Sequence, residues 1–222
     1  MSTEDRNFHS RALRILDLGC GNGAQTIQLA RQADATIVAL DNHKPFLDEL
    51  ERRAVAAGVA DRIRVHLGDM GEMDFPDGSF DLIWSEGALY VMGFREGLTA
   101  CHRMLVPREF LAVSELCWFK PGAREECMAY FASEYPPMTD VATNLATIKE
   151  CGYEMLGHYP MPESSWLQTY YMPLEARLQA MRDEYAADAE KLEVIESVQL
   201  EIDIYRQYSD YYGYEFFVMR RR

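Results

Sequence analysis

The residues of this sequence most able to bind a ligand are a glycine-rich turn and three acids near the ends of apolar runs. The turn is Gly19-Cys20-Gly21-Asn22-Gly23, and Asp17 stands two residues before its first glycine. Asp41 ends a second apolar run, and Asp69 follows a third. Glycine permits positive φ and leaves no Cβ in the way of a ligand. We therefore expect a small molecule to lie over this turn, within reach of the carboxylates.

The spacing favours a ligand without phosphate. Gly-x-Gly-x-Gly differs from the Gly-x-Gly-x-x-Gly of the dinucleotide fingerprint, and a pyrophosphate would meet the like charge of Asp17. Asp41 can accept both hydroxyls of a ribose, and Asp69 can reach an exocyclic amine of a purine. S-adenosylmethionine (SAM) offers an ammonium, a sulfonium, a ribose and adenine. The alternative for each acid is a capping or loop carboxylate.

The elements that position these residues alternate between strand and helix through the first 118 residues. Such alternation predicts an α/β fold with a parallel sheet covered on both faces. The predicted strands are Leu13–Leu18, Thr36–Leu40, Arg62–Leu67, Phe80–Trp84 and Glu109–Cys117, and the predicted helices are Ala24–Arg31, a helix from Pro45 to Gly58, and Arg95–Met104.

In the second half, strands and helices no longer alternate regularly. We predict a helix at about Asp140–Cys151, a strand at about Tyr153–Tyr159, a long helical stretch from Leu174 to Asp210 and a last strand over Gly213–Met219. The interpretation is one domain over residues 1–222, with a helical insertion or lid at approximately 160–210.

Four segments carry a resemblance to a known family. Ile15–Ala30, Val38–Asp41, Gly68–Met70 and Phe80–Glu86 resemble the class I SAM-dependent methyltransferases, within them the small-molecule branch of the ubiquinone/menaquinone-biosynthesis type. The similarity covers roughly residues 13–118. It implies a doubly wound, seven-stranded, mostly parallel sheet of order 3-2-1-4-5-7-6, with an antiparallel last strand and a helical insertion before it.

The resemblance also implies SAM as the cofactor, S-adenosylhomocysteine (SAH) as its product, and a role for each matching residue. Asp17 would hold the methionine amino group, and Asp41 the ribose. The other implied positions are Gly19, Cys20, Gly21 and Gly23 under the cofactor, Asn42 beside the adenine, Asp69 with the Met70 backbone on the adenine edge, and Ser85 near the transferring methyl.

Two departures from the family pattern change what we expect. Pro107-Arg108-Glu109-Phe110 stands where relatives usually carry Pro-Gly-Gly, so this turn must adopt another geometry. About 14 residues precede the first strand, where relatives commonly have a longer helical lid. We therefore expect a more open site, or one closed by the 160–210 region.

Glu86 is the best candidate for orienting or deprotonating an acceptor, because it follows the fourth strand at the active edge of the sheet. Its alternative is a loop carboxylate bonded to backbone amides or to the cofactor's amino group. Four aromatic residues could line an acceptor pocket or simply pack in the core: Tyr90, Trp118, Trp166 and Tyr170. The acceptor atom stays open between oxygen, nitrogen, carbon and sulfur.

Charge and composition exclude several classes of partner. With 22 Lys+Arg against 36 Asp+Glu, the formal net charge is −14, which disfavours nucleic acid. No apolar run is long enough to span a membrane, and the N-terminus lacks the pattern of a secretion signal. Five scattered cysteines without Cys-x-x-Cys predict a cytoplasmic protein, and five isolated histidines predict no metal site.

The sequence thus predicts an enzyme that transfers a methyl group from SAM to a small molecule by in-line displacement. Alignment of the reactants lowers the barrier of such a reaction without a dedicated catalytic side chain. Two other functions stay open: a SAM-binding protein without turnover, acting as a sensor or partner subunit, and a nicotinamide-dependent oxidoreductase.

Overall fold

The structure, a computed structural model, describes residues 12–222. The predictions about the N-terminal segment, namely the missing secretion signal and the short region before the first strand, concern residues that lie mainly outside this range.

Within residues 12–222, eight strands form one sheet. Its order is β3-β2-β1-β4-β5-β8-β7, and β6 pairs with β5 beside this path. The strands are β1 (Leu13–Leu18), β2 (Ala35–Asp41), β3 (Ile63–Leu67), β4 (Phe80–Ser85), β5 (Leu105–Trp118), β6 (Thr139–Asp140), β7 (Tyr153–Pro160) and β8 (Tyr212–Arg221).

Helices connect these strands. They are α1 (Ala24–Gln32), α2 (Lys44–Ala56), α3 (Phe94–Met104), α4 (Glu125–Glu134), α5 (Val141–Glu150), α6 (Glu163–Trp166), α7 (Met172–Glu184) and α8 (Ala189–Tyr208). A π-helical turn, Leu167–Tyr171, joins α6 to α7, and short 3₁₀ turns lie at Ala60–Arg62, Met70–Glu72 and Leu89–Met92. Among residues 12–222, no helix is long and apolar enough to cross a membrane.

The register of the central strands brings the predicted site residues to one edge. β1 pairs in parallel with β2 and β4, and Asp17 lies beside both Ala39 and Trp84. The carboxyl ends of these three strands therefore meet, so that the glycine turn, Asp41 and Glu86 follow one another along this edge. The last four residues of β1 are buried because both faces of the sheet are covered there.

The predicted strand order is confirmed. When the two-residue β6 is set aside, the seven remaining strands have the order 3-2-1-4-5-7-6. The last strand is antiparallel to β5, since Phe119 N donates to Tyr211 O at one end of the pair and Arg221 Nη1 donates to Leu105 O at the other. It is also antiparallel to β7, since Met161 N donates to Tyr214 O and Arg222 N donates to Gly152 O.

The second half contains elements that the sequence analysis missed. α4 and β6 were not predicted. The stretch from Leu174 to Asp210 is helical, as predicted. It consists of α7 and α8, which are separated at Tyr185–Asp188. The break has a local cause, because the Asp188 side chain accepts a hydrogen bond from Lys191 N (3.2 Å) and begins a new helix.

The described chain divides into two compact units. The first comprises 12–115, Ala142–His158 and Phe216–Arg222, and the second comprises Leu116–Val141 and Tyr159–Glu215. The predicted insertion at about 160–210 falls within the second unit. That it acts as a lid within a single domain stays a prediction.

Arg108 has the backbone geometry expected of a glycine. Its φ is 71°, and it is the one described residue other than glycine with positive φ. It lies in an irregularity of β5, where the pairing steps from Phe80↔Leu105 to Leu82↔Phe110. The turn that departs from the family pattern is thus a bulge, in which an arginine bears the strain of a left-handed conformation.

Replacing Arg108 with glycine should stabilise the protein. Release of the left-handed strain outweighs the extra flexibility of glycine in the unfolded chain, so Arg108→Gly should raise the free energy of unfolding by about 1 kcal/mol. Urea denaturation measures this. Arg108→Ala is the matched control, because it removes the side chain and keeps the strain; an equal gain in both variants would contradict this explanation.

Candidate functional site

The glycine turn packs tightly on two sides and is open on a third. Gly19, Gly21 and Gly23 have φ values of 73°, 52° and 79°. A Cβ on Gly19 would lie 2.3 Å from the Ala88 Cβ, and one on Gly23 would lie 2.0 Å from the Leu50 Cδ1. For Gly21, no described atom outside the glycine and its two chain neighbours lies within 4 Å of that position. The turn therefore presents bare backbone to a space that a ligand can fill.

Asp17 is a buried acid, 2% exposed, directly before this turn. Its Oδ2 accepts a hydrogen bond from the Thr26 hydroxyl at 2.5 Å. Burial raises the pKa of Asp17 to about 7; the Thr26 hydrogen bond opposes this effect, and the charges of Glu86 and Asp41 add to it. Among residues 12–222, no ion pair joins Asp17 to a basic side chain. Burial thus favours the neutral form of this carboxyl group, and a cation bound beside it would favour the ionised form.

Asp41 ties the glycine turn to the end of β2. Its Oδ2 accepts from Gly21 N and its Oδ1 from His43 N, both at 2.9 Å. The amides of Gly19 and Cys20 both donate to Leu40 O. Each carboxylate oxygen of Asp41 can accept a further hydrogen bond, so its structural role leaves room for ribose hydroxyls.

The predicted adenine-binding residues lie at the ends of β2 and β3. Asp69 is exposed, and its Oδ1 accepts from Gly71 N at 2.7 Å. The half-buried Met70 extends over the glycine turn, since its Cε would lie 3.4 Å from a Cβ on Gly19. Asn42 is exposed beside Asp41. These three residues are available to an adenine, and their contact with it stays a prediction.

Ser85 and Glu86 end β4 in different ways. Ser85 is fully buried, and its hydroxyl donates to Leu18 O at 2.9 Å, which joins the ends of β4 and β1. Glu86 is half-buried, and both of its oxygens are occupied: Oε1 accepts from Trp84 Nε1 at 2.8 Å and Oε2 from Gln25 Nε2 at 3.0 Å. Glu86 is therefore a fixed carboxylate rather than a mobile loop side chain.

Cys20 lies in the turn as a small buried residue, 6% exposed. Burial raises the pKa of its thiol above the ordinary value, and the charges of Asp17 and Asp41 raise it further. A thiol with a raised pKa is a poor nucleophile, and the position of Cys20 under the cofactor stays a prediction.

The four aromatic residues predicted to line an acceptor pocket belong to different units. Tyr90, 44% exposed, lies in the first unit, and the other three lie in the second. Trp166 stacks against Tyr205 and Tyr214 at 4.9 Å each, and Trp118 packs edge-on against Phe131 at 5.5 Å. Tyr170 is 51% exposed. Trp118 and Trp166 thus pack with other aromatic rings, and a shared acceptor pocket stays a prediction.

Sequence reasoning missed the side chains that hold the acids. Thr26 holds Asp17, while Gln25 and Trp84 hold Glu86. A usable signal was present, because polar residues in the first turn after a glycine-rich loop face the strand ends. No group of described His, Cys, Asp or Glu residues is arranged to hold a metal ion.

Asp17→Asn should stabilise the protein at high pH. A pKa of about 7 in the folded state, against about 4 in the unfolded state, means that this group lowers stability increasingly as the pH rises from 4 to 7. The variant should exceed the wild type in free energy of unfolding by up to about 4 kcal/mol at pH 8, and the two should converge near pH 4. Urea denaturation across this range is the measurement. Asp74→Asn, at an exposed position, is the control. If Asp17→Asn and the wild type showed the same dependence of stability on pH, the pKa of Asp17 would not be raised in the folded state.

Comparison with known proteins shows which proteins the chain resembles. Residues 15–108 match the family model described as a methyltransferase domain. Sterol 24-C-methyltransferase erg-4 of Neurospora crassa is 26% identical over 180 residues, which cover 77% of this chain and 47% of that protein. The 27-O-demethylrifamycin SV methyltransferase of Amycolatopsis mediterranei is 32% identical over 103 residues, 46% of this chain and 38% of that protein. The chain thus spans less than half the length of these curated relatives.

A solved structure supports the same fold over nearly the whole chain. The SAM-dependent methyltransferase from Geobacter sulfurreducens, crystallised with S-adenosyl-L-homocysteine, superposes with a TM-score of 0.81 at 21% identity, covering 96% of this chain and 86% of that one. Residues 15–108 are thus similar to a methyltransferase domain, and nearly the whole chain shares its fold with this solved SAM-dependent methyltransferase.

Proposed function

We propose that this protein transfers the methyl group of SAM to a small-molecule acceptor by direct in-line displacement. The observation that carries the proposal is Asp17: a buried carboxyl group beside a glycine turn with an open face, for which the described residues supply no cation. The methionine ammonium of SAM would supply that charge. The names of the relatives support the same activity.

The residues present suit SAM at this edge of the sheet. Asp17 would bind the ammonium and Asp41 the ribose hydroxyls, while the backbone of Gly19–Gly23 would lie under the methionine portion. Asp69, Met70 and Asn42 would surround the adenine. Ser85 would stabilise the site indirectly, because its hydroxyl group already joins the ends of β4 and β1.

When bound, SAM would supply a methyl carbon already activated by its positively charged sulfur. The acceptor's lone pair forms the new bond to that carbon while the carbon–sulfur bond breaks, and its electron pair stays on sulfur to give SAH. The chain's contribution is to align the reactants, which is worth about 7–11 kcal/mol, and to exclude water. Glu86 would orient the acceptor or take its proton where the acceptor carries one.

The acceptor belongs to the small molecules rather than to nucleic acid, which the net charge of −14 disfavours. The proposal keeps the 160–210 segment as the lid of a single domain, and Tyr90, Trp118, Trp166 and Tyr170 as candidate acceptor contacts. The inferred location is the cytoplasm, as the cysteine usage indicates.

Calorimetric titration with SAM and SAH tests the cofactor site. Wild type should bind both, and Asp41→Ala should weaken both by about 1–3 kcal/mol, because it loses the hydrogen bonds to the ribose. Asp74→Asn is the matched control and should bind as wild type. Circular dichroism checks that Asp41→Ala, which also loses its bonds to Gly21 and His43, stays folded. Unchanged affinity in a folded Asp41→Ala variant would contradict this placement.

Transfer of a labelled methyl group to a panel of metabolites then distinguishes the functions. Transfer supports the enzyme. Binding of SAM without transfer to any acceptor would favour a SAM-binding protein without turnover, and binding of NADH without competition from SAM would favour an oxidoreductase.

Cofactor affinity should depend on pH through Asp17. With a pKa of about 7 in the free protein, Asp17 must lose a proton before it can pair with an ammonium. The affinity for SAH should therefore rise by up to about tenfold per pH unit below 7 and level off above it, with proton release on binding at pH 6. Calorimetry in two buffers of different ionisation enthalpy measures the protons released. An affinity independent of pH between 5.5 and 7 would contradict a role for Asp17 in ammonium binding.

A further inference from the structure

Glu86 is held in place from two elements of the fold. Trp84, on β4, donates its indole N–H to Oε1, and Gln25, in the first turn of α1, donates its amide to Oε2. The Trp84 ring in turn packs against Phe216, with ring centroids 5.1 Å apart. Both donors are neutral, so they fix the direction of the carboxylate without cancelling its charge.

The same helical turn holds the other acid. Gln25 and Thr26 are consecutive, and they bind Glu86 and Asp17 respectively. The charge of Glu86 is close enough to Asp17 to raise its pKa. Among residues 12–222, no ion pair joins either acid to a basic side chain. Like charges held together in this way cost free energy until a cation offsets them.

SAM carries two cations and SAH carries one. Both have the methionine ammonium, carboxylate, ribose and adenine, and they differ in the methyl group and in the positive charge on sulfur. Asp17, when paired with the ammonium, cannot distinguish the two molecules. A second fixed carboxylate can distinguish SAM from SAH when it lies closer to the sulfur than to the ammonium.

We propose that Glu86 binds the sulfonium of SAM by its charge, that Gln25 is the positioning residue that holds it there, and that the pair makes the site prefer SAM to SAH. The inference rests on the proposed function and adds a specificity device to it. Since the charge on sulfur disappears as the methyl group leaves, Glu86 stabilises bound SAM rather than the transition state. Its effect is to favour loading of SAM and release of SAH.

The test compares the affinities of each variant for SAM and SAH by calorimetry at pH 7.5. Glu86→Gln removes the charge but keeps the shape, and Gln25 can reverse its amide to restore the hydrogen bond. Gln25→Met removes the donor at nearly constant volume. Gln28→Met is the matched control, because Gln28 lies one turn further along α1 and is exposed. Thermal denaturation of each variant reports any structural effect.

We expect Glu86→Gln to weaken SAM binding about tenfold or more while SAH affinity changes less than about twofold. Gln25→Met should shift the SAM-to-SAH preference in the same direction by a smaller factor, and Gln28→Met should leave it unchanged. If Glu86 and Gln25 were purely structural, the variants would lower the thermal midpoint or weaken SAM and SAH binding equally. The ratio of SAM affinity to SAH affinity would then stay as in the wild type.

Three results would overturn the proposal. Equal weakening of SAM and SAH by Glu86→Gln would place Glu86 at the ammonium. An unchanged preference in both variants would make the Gln25–Glu86–Trp84 contact purely structural. Failure of wild type to bind either molecule would remove the proposed function as well, and only this last result does so.

Discussion

The burial of the Asp17 carboxyl group beside a second acid, Glu86, is the constraint on which this end of the sheet depends. Adjacent residues of one helical turn, Thr26 and Gln25, hold the two acids at the same edge. Burial alone would favour a neutral Asp17, and the nearby charges strengthen that preference. A fold that keeps such an arrangement is less stable than one with neutral side chains there, and a cationic ligand would reverse the balance.

The glycine turn and Asp41 fix the backbone next to these acids. The glycines at 19 and 23 let Ala88 and Leu50 pack against the turn, and Gly21 leaves its outer face open. Asp41 then fixes the turn by accepting the Gly21 amide. A larger residue in place of Gly23, for example, would displace both the core residue Leu50 and the glycine turn. Core packing and the proposed ligand binding therefore depend on the same glycines.

The first half of the chain could be predicted from its sequence because each element there has a local signal. β1 is a short apolar run stopped by Gly19, and α2 begins with proline in its first turn and is followed by Gly58. In the second half, the break between α7 and α8 depends on one capping side chain, Asp188, within a polar stretch that favours helix throughout. Periodicity carries no information about such a break.

The candidate site was predictable to a similar extent. Glycine spacing and acids after strands located Asp17 and Asp41, since both patterns are local. Gln25 and Glu86 are 61 positions apart, so only the tertiary structure brings them together. The Trp84–Glu86 contact is local in sequence, and it depends on how the chain turns at the end of β4. The bulge at Arg108 was expected as a departure from the family turn, but its left-handed backbone follows from strand pairing that the sequence does not encode locally.

A crystal structure of the protein with SAH tests the central claim most directly. The account predicts the ammonium of SAH within hydrogen-bonding distance of Asp17 and the ribose on Asp41, with the methionine portion over Gly21. SAH bound elsewhere, or bound at this edge with its ammonium away from Asp17, would contradict it.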